Sequence, residues 1–222
     1  MLRAIRFASI ILVVLLGGVW ATAWFARTPD ESVADAFMRQ LARLTGAEMP
    51  AAGGVQIAQG VSLGGPFTLV DQTGKTVTER DFAGRPLLIY FGFTYCPDVC
   101  PTELGTIAAA LDTMGPAGEQ VTPIFITIDP ERDTPEAMAD YVSRFHSRLV
   151  GLTGTPEQVA QAARAYRVYY AKVQPRDSTA YLMDHSSFIY FVGSDGRVRN
   201  LFRPDTTPEA IAAAVRAQLR AH

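Results

Sequence analysis

The segment "PLLIYFGFTYCPDVCPTELGTIAAALDTM", residues 86–114, carries the strongest structural signal in the sequence. Its first eight residues, 86–93, form a continuous apolar run, which is typical of a β-strand buried on both faces. Residues 101–114 have the pattern of a helix. Between them lie both cysteines of the chain, Cys96 and Cys100, each followed by a proline. The segment therefore predicts a strand, a cysteine-containing loop and a helix, in that order.

The rest of the C-terminal region continues the alternation of strands and helices. Three segments begin with Thr-Pro-Glu, at Thr134, Thr155 and Thr207. This triplet favours a helix start, because threonine caps, proline fits the first helical position and glutamate suits the positive helix end. The dipeptide Asp195-Gly196 indicates the turn of a β-hairpin. The predicted helices are 134–147, 155–166 and 207–221. The predicted strands are two within 66–79, around a turn at 71–74, and then 121–128, 148–152, 167–173 and 187–193.

This order of elements indicates a thioredoxin-like α/β domain. A hairpin comes first, strands and helices then alternate, and an antiparallel hairpin with a last helix ends the region. The cysteines lie in a loop between a strand and a helix of this sheet. We therefore predict that residues 57–222 form a thioredoxin-like domain with an extra N-terminal β-hairpin.

The N-terminal region predicts one transmembrane helix. Residues 7–26 contain no charge, and a helix of that length is about 30 Å long, which matches a bilayer core. Arg3 and Arg6 precede it, so the positive-inside rule places residues 1–6 in the cytoplasm. We expect a single-pass protein of the bacterial inner membrane, with residues 27–56 as a tether and the C-terminal domain in the periplasm. The alternative is a cleaved signal peptide, although the usual signal core has only about 7–15 residues.

The charge of the chain argues against nucleic acid as its main partner. The formal net charge is -2, and no basic stripe is present. Export has a further consequence for the cysteines. In an oxidising compartment a thiol pair forms a disulfide unless reduction or a metal protects it.

Three kinds of site could use two cysteines this close in sequence. A structural disulfide would constrain the unfolded chain little, because the loop that it closes is short. A dithiol redox pair and a metal site both fit better, since thiolates are nucleophiles and also soft ligands for Cu(I), zinc or iron–sulfur centres. We expect the helix to begin at Pro101 with Cys100 at its cap, where the positive helix end favours the thiolate.

His185 is the candidate for a third metal ligand. It immediately precedes a predicted buried strand, and in a thioredoxin-like fold that loop packs beside the cysteine loop. Two thiolates and one imidazole would form a three-coordinate set suited to Cu(I). The alternative for His185 is an ordinary turn residue. Of the other histidines, His222 is terminal and His146 ends a predicted helix, so we expect both at the surface.

Three further side chains near this edge of the sheet are weaker candidates. Asp129 follows the predicted strand 121–128, and we expect it to tune the cysteines, to offer an oxygen to Cu(II), or simply to form an Asp-Pro turn. Asp133 has a simpler assignment as a helix cap, with Glu136 three residues later. Met183 is a conceivable soft ligand that we assign to core packing.

Three motifs together resemble the Sco/SenC family of membrane-anchored, thioredoxin-fold proteins. They are "GFTYCPDVCPTEL", "ITIDPERDTPE" and "YLMDHSSFIYFV", and the resemblance covers roughly residues 57–220. It implies that Cys96, Cys100 and His185 bind one copper ion per domain, as Cu(I) or Cu(II). It also implies that Asp129 matches an aspartate that lies near the metal.

The same resemblance implies a function in assembling the binuclear copper centre of cytochrome c oxidase. The chain would deliver copper to the copper-centre subunit or reduce the cysteines of that subunit, with Cys96 and Cys100 as the redox pair. The implied partners are this subunit, a periplasmic copper chaperone and a thioredoxin-like reductant. No nucleic acid is expected.

Other functions remain open from the residues alone. The chain could be a periplasmic thiol–disulfide oxidoreductase or a redox signalling protein without an obligatory metal. The stretch "VCPTE" also resembles the peroxidatic loop of peroxiredoxins, which place a threonine three residues before the cysteine. Here Pro97 precedes Cys100 and Phe93 precedes Cys96 at that spacing, which disfavours a peroxidase. A non-catalytic scaffold is the remaining alternative.

Overall fold

The computed structural model describes residues 54–57, 63–174 and 180–220, together with positions 6, 16–22, 24–25, 36–37, 40–41 and 44. The chain divides into two compact units, residues 1–50 and 51–222. All described positions of the first unit are helical. Among the residues described, the structure contains no helix that is both long and apolar enough to cross a membrane. Much of the predicted span 7–26 lies outside the described residues.

The second unit is an α/β domain in which four α-helices alternate with strands over its described residues. The helices are α1 (Val99–Met114), α2 (Pro135–Ser143), α3 (Pro156–Ala165) and α4 (Pro208–Arg220). The strands are β1 (Gly54–Gln56), β2 (Thr68–Asp71), β3 (Thr76–Thr78), β4 (Leu87–Gly92), β5 (Thr122–Thr127), β6 (Val150–Thr153), β7 (Tyr170–Val173), β8 (Leu182–His185), β9 (Ile189–Val192) and β10 (Val198–Phe202). Short 3₁₀ segments lie at Glu79–Phe82 and Gly115–Gln120.

Eight strands form one sheet in the order β1-β10-β9-β4-β5-β6-β2-β3. Strands β4, β5 and β6 are parallel, and the other described pairs of this sheet are antiparallel. Every residue of β4 is buried, as its continuous apolar run predicts. The cysteine loop therefore leaves the sheet from a strand in its middle. The predicted N-terminal hairpin is confirmed as β2–β3, which lies at one edge.

Strands β7 and β8 form a separate two-stranded antiparallel sheet, the β7–β8 hairpin. Its register pairs Tyr170 with His185 and Lys172 with Met183. The sequence predicted β7 but not β8, so His185 was expected in a loop. The structure places His185 instead as the last residue of β8.

The predicted helix starts are confirmed at all three Thr-Pro-Glu triplets. The side-chain oxygens of Thr134, Thr155 and Thr207 each accept a hydrogen bond of 3.3 Å from the backbone N–H three residues later. These bonds satisfy donors that the first helical turn leaves unpaired. The caps therefore fix where α2, α3 and α4 begin.

Two predicted boundaries are wrong. Gly54–Gln56 form β1 and pair with β10, so the predicted tether of residues 27–56 includes a strand of the main sheet. Helix α1 begins at Val99 and not at Pro101. Proline is tolerated anywhere in a first helical turn, because the backbone N–H that it lacks has no partner there. Cys100 consequently lies inside the first turn of α1 rather than at its cap.

Candidate metal centre

Cys100 is held in the core where α1 packs on β4. The residue is fully buried. A Cβ atom at Gly92, in β4, would lie 2.7 Å from Cys100 Sγ and 2.9 Å from Phe125 Cε2. Only glycine fits at this approach of sheet and sulfur. The hydroxyl of Tyr90 donates a hydrogen bond to Cys100 Sγ at 3.9 Å.

Cys96 lies in the loop before α1 and is half-buried. Its backbone N–H donates to the Phe93 carbonyl at 3.2 Å. Its sulfur accepts a hydrogen bond from the backbone N–H of Cys100 at 3.4 Å. This N–H belongs to the first turn of α1, where backbone donors lack intrahelical partners. The helix start therefore points at the sulfur of Cys96.

The hydrogen bonds around the two sulfurs favour the thiolate at Cys96, whereas the sequence predicted it at Cys100. A hydrogen bond from the Cys100 thiol is the largest cause that lowers the pKa of the Cys96 thiol, and the backbone N–H groups of Cys100 and Asp98 add to it against the effect of burial. The same hydrogen bond raises the pKa of Cys100, and burial raises it further. The difference arises because the backbone N–H at the start of α1 points to the sulfur of Cys96, four residues before Cys100.

The ring of His185 faces the cysteines with one nitrogen. Its Nε2 lies 3.6 Å from Cys100 Sγ. Its Nδ1 lies 3.0 Å from the Ser186 carbonyl oxygen. A carbonyl oxygen only accepts, so Nδ1 carries the proton and Nε2 is the nitrogen available to a metal. Tyr90 and Phe93 contact the imidazole edge-on, with ring centroids 6.1 and 6.0 Å away.

The donor chemistry of this site suits a soft metal. Cys96 and Cys100 are both free thiols, and His185 presents a nitrogen whose ring orientation is fixed by a backbone carbonyl. Within the part of the chain that the structure describes, no three His, Cys, Asp and Glu side chains are gathered as a ready-made metal cage. The three predicted ligands instead contact one another in sequence. The backbone N–H of Cys100 bonds to Cys96 Sγ, and Cys100 Sγ lies beside His185 Nε2.

Asp129 is buried, and both of its carboxylate oxygens have partners. Arg132 Nε donates to Oδ2 at 2.5 Å, and the Tyr181 hydroxyl donates to Oδ1 at 2.8 Å. Its backbone N–H donates to the Thr127 hydroxyl at 2.9 Å. Asp129 therefore joins the loop after β5 to Tyr181, the residue immediately before β8.

Asp133 is not a helix cap, and that prediction was wrong. The cap of α2 is Thr134, while the side chain of Asp133 is fully buried. Its carboxylate accepts hydrogen bonds from the Thr94 N–H at 3.1 Å, the Thr94 hydroxyl at 2.5 Å and the Thr127 hydroxyl at 2.6 Å. The Thr153 hydroxyl donates to its carbonyl at 2.6 Å. Asp133 thus connects the cysteine loop, through Thr94, to β5 and β6 by hydrogen bonds.

The remaining candidates do not join the site. Met183 is buried at 8% exposure, which confirms its assignment to core packing. His146 lies beyond the end of α2, where its Nδ1 accepts a hydrogen bond from the Arg148 N–H at 3.1 Å. His222 lies outside the described residues.

Several residues around the site could not be assigned to it from the sequence, or had only a weak local indication. Gly92 could have been identified from the sequence, since a glycine within a buried strand often marks a place where another group approaches the backbone closely, here Cys100 Sγ. Tyr90 was treated only as part of an apolar run. Arg132 and Tyr181 meet across 49 sequence positions, and no local pattern indicates such a contact.

Comparison with known proteins identifies relatives of this domain. The SCO1/SenC family model matches residues 55–220. The human "Protein SCO1 homolog, mitochondrial" is 47% identical over 160 residues, which are 71% of this chain and 53% of that protein. "Protein SenC" of Rhodobacter capsulatus is 44% identical over 153 residues, 69% of each chain. This chain therefore spans about half to two thirds of the length of these curated relatives.

Solved structures agree with this result. The chain resembles Bradyrhizobium japonicum ScoI with copper bound, at 47% identity and a TM-score of 0.65, covering 70% of this chain and 99% of that one. It also resembles yeast Sco1 with copper bound, at 36% identity and a TM-score of 0.67, covering 73% and 91%. The predicted thioredoxin-like α/β fold is thereby confirmed.

Proposed function

This chain belongs to the SCO1/SenC family, and we propose that it is a copper-binding assembly factor for the binuclear copper centre of cytochrome c oxidase. Cys96, Cys100 and His185 are the proposed ligands of one copper ion per domain. The observation that carries the proposal is the approach of His185 Nε2 to Cys100 Sγ, at 3.6 Å, with Nδ1 held by a carbonyl. Similarity to Sco structures with copper bound supports it.

The exposure of the three residues suggests an order of release. Cys96 is half-buried and Cys100 is fully buried, so an incoming thiolate of the target reaches the Cys96 position first. Copper is the cargo in this scheme, held as Cu(I) or Cu(II) by soft ligands. Ligand exchange then proceeds inward, as thiolates of the target replace Cys96 before the buried Cys100. No electrons need to move in such a transfer.

A second candidate function is reduction of a target disulfide, favoured by the same asymmetry. The Cys96 thiolate attacks one sulfur of the target disulfide, which breaks that bond, forms a mixed disulfide and releases a target thiolate. Cys100 loses its proton and attacks Cys96 Sγ, which releases the second target thiolate. The target gains two electrons, and Cys96 and Cys100 end as a disulfide. A thioredoxin-like reductant would return this disulfide to the dithiol state.

We further propose the partners and the location. The copper-centre subunit of cytochrome c oxidase is the target, and a periplasmic copper chaperone is the donor. Residues 7–26 would anchor the chain in the bacterial inner membrane in a single pass, with residues 1–6 in the cytoplasm. The uncharged stretch and the arginines before it support this orientation. The domain of residues 57–222, extended by β1, would then lie in the periplasm.

The test is a copper titration of the reduced full-length chain in detergent, followed by absorption spectroscopy. We expect one equivalent of copper and thiolate-to-Cu(II) charge-transfer bands in wild type. His185→Ala, Cys96→Ser and Cys100→Ser should each abolish or shift these bands. His146→Ala is the matched control and should leave them unchanged, since His146 lies after α2 and bonds Arg148. Absence of stoichiometric copper in wild type would contradict the copper function and leave the dithiol reaction.

A further inference from the structure

Arg132 lies at the junction of the cysteine loop, the loop after β5 and the β7–β8 hairpin. Its Nε forms an ion pair with Asp129, at 2.5 Å, in which the two side chains are only 18% and 1% exposed. Its Nη1 donates to the Tyr181 carbonyl at 3.0 Å. Arg132 thus fixes one end of the hairpin to the loop that follows β5.

The guanidinium also lies among three aromatic rings. Its Cζ is 3.7 Å from the ring centroid of Tyr181, 4.6 Å from that of Tyr95 and 5.9 Å from that of Phe93. Tyr181 belongs to the hairpin side, while Tyr95 and Phe93 belong to the cysteine loop. Cation–π contacts of this kind attract the rings to one cation. We call Arg132, Asp129, Tyr181 and Tyr95 the arginine clamp.

The clamp lies next to the strand that carries His185. Tyr181 immediately precedes β8, and His185 is the last residue of β8. On the other side, Phe93 contacts both Arg132 and the imidazole of His185. The two-stranded sheet shares no strand with the main sheet in the described chain. Displacement of Tyr181 would therefore move the whole strand, and with it the distance from His185 to the cysteines.

We propose that Arg132 is a positioning residue that holds His185 at the cysteine pair through the arginine clamp. The inference rests on the proposed function, because it concerns the site formed by Cys96, Cys100 and His185. Arg132 contacts none of the proposed ligands directly in the structure. It acts by joining Tyr181, on the side of His185, to Tyr95, on the side of the cysteines.

The clamp requires arginine rather than any cation. The planar guanidinium forms the ion pair and the bond to the Tyr181 carbonyl in its own plane, while its faces are free to stack on rings. A lysine ammonium keeps the charge but is not planar, so it cannot bond to the carboxylate and the carbonyl while it also stacks on the rings. Arg132→Lys should therefore behave like Arg132→Ala.

The first test is a double-mutant cycle on the affinity of the reduced full-length chain for Cu(I), measured by competition with a chromophoric chelator. We expect Arg132→Ala and Arg132→Lys to weaken binding about 10-fold in the wild-type background. In a His185→Ala background the same changes should alter the affinity less than about 2-fold, because the clamp acts through His185. Arg144→Ala removes the same charge from an exposed ion pair with Asp140 and should have no effect.

Tyr181→Leu provides a second variant if changes at Arg132 prevent folding. It removes the ring from the hairpin side of the clamp, together with the hydroxyl that donates to Asp129 Oδ1, but leaves both partners of the Asp129–Arg132 ion pair in the chain. It should weaken Cu(I) binding in the same His185-dependent way. Equal effects in the wild-type and His185→Ala backgrounds would overturn the proposal, and so would full affinity in Arg132→Lys.

The second test needs no copper, so it separates failure of the clamp from failure of the proposed function. Amide hydrogen exchange of the metal-free reduced chain should be faster in Leu182–His185 of Arg132→Lys and Tyr181→Leu than in wild type. Leu87–Gly92 should exchange at the wild-type rate, since β4 lies inside the main sheet. Unchanged exchange in β8 would overturn the clamp even if copper binds. Faster exchange in a chain that binds no copper would retain the clamp and reject the copper function.

Discussion

The two sides of the candidate site differ in what supports them. Cys100 lies on α1 against β4, in the middle of the eight-stranded sheet, and it is fully buried. His185 ends a two-stranded sheet outside the main sheet and is only half-buried. The cysteine side is held by the hydrophobic core, whereas the strand that carries His185 reaches that core through Met183 and is otherwise held by polar and aromatic contacts.

This difference has a consequence for how the site can be altered. Changes under the cysteine loop should lower the stability of the whole domain, because that loop is bonded to core strands. Changes around the hairpin should move His185 while the domain stays folded. Stability and ligand geometry should therefore respond separately to mutations on the two sides, and the following predictions test this separation.

The largest effect is expected at Asp133, on the cysteine side. Asp133→Ala leaves the Thr94 N–H, the Thr94 hydroxyl and the Thr127 hydroxyl without their buried acceptor. Buried donors without partners are costly, so the free energy of unfolding should fall by on the order of 3 kcal/mol. Urea unfolding of the reduced chain measures this change.

The matched control is Asp140→Ala, which removes the same group from an exposed ion pair with Arg144 on α2. This change should lie within about 0.5 kcal/mol of wild type. A loss at Asp133 no larger than the loss at Asp140 would show that the cysteine loop is not supported by the core in the way described.

The same difference explains what the sequence could predict. Strand β4, both cysteines and α1 are contiguous in residues 86–114, and their chemistry follows from local patterns. Two errors on this side are local, since α1 begins two residues before Pro101 and its first-turn N–H at Cys100 serves the sulfur of Cys96. The third concerns a distant contact, since Asp133 was assigned as a cap although its partner Thr94 is 39 positions away. The order of elements on the cysteine side was therefore predictable, but the exact helix start and the long-range hydrogen bonds were not.

The hairpin side was less predictable. Its motif identified His185 as a candidate, but β8 was missed because a strand of four residues has little periodicity of its own. Strand β8 forms by pairing with β7, and Arg132 reaches Tyr181 over 49 positions. Such contacts follow from the folded topology, so the position of His185 required the structure.

An intermediate effect is expected at Glu103, one turn beyond Cys100 on the buried face of α1. Its Oε2 has no hydrogen-bond partner among the described residues. Burial, with a smaller contribution from Asp205, raises the pKa of Glu103 from its ordinary 4.5 to about 7. The folded state thus binds this proton more tightly than the unfolded state. The contribution of Glu103 to the free energy of unfolding therefore falls as the pH rises from 4.5 to about 7, and it no longer changes at higher pH.

Glu103→Gln should remove this dependence. Between pH 4.5 and pH 7, wild type should lose on the order of 2 kcal/mol more stability than the variant. Urea unfolding at a series of pH values gives both curves, and their difference cancels the other titrating groups. Glu119→Gln, at an exposed glutamate, should leave the wild-type slope unchanged. Parallel curves for wild type and Glu103→Gln would contradict the assignment.

The smallest effect is expected at Lys172, on the hairpin. Its ammonium lies 2.7 Å from Glu131 and 4.7 Å from the ring centroid of Tyr181, but both charged side chains are about half exposed. Solvent screens such a pair, so Lys172→Ala should change the free energy of unfolding by less than about 0.5 kcal/mol. Lys75→Ala, at an exposed turn, is the matched control and should have an equally small effect. Urea unfolding and Cu(I) competition measure the two properties at issue. If Lys172→Ala weakened Cu(I) binding as much as Arg132→Lys does, an exposed charge would hold the hairpin as well as the Asp129–Arg132 pair does, whose side chains are 1% and 18% exposed. If Lys172→Ala changes neither the stability nor the Cu(I) affinity measurably, the largely buried Arg132 among its aromatic rings, and not exposed charge, positions His185.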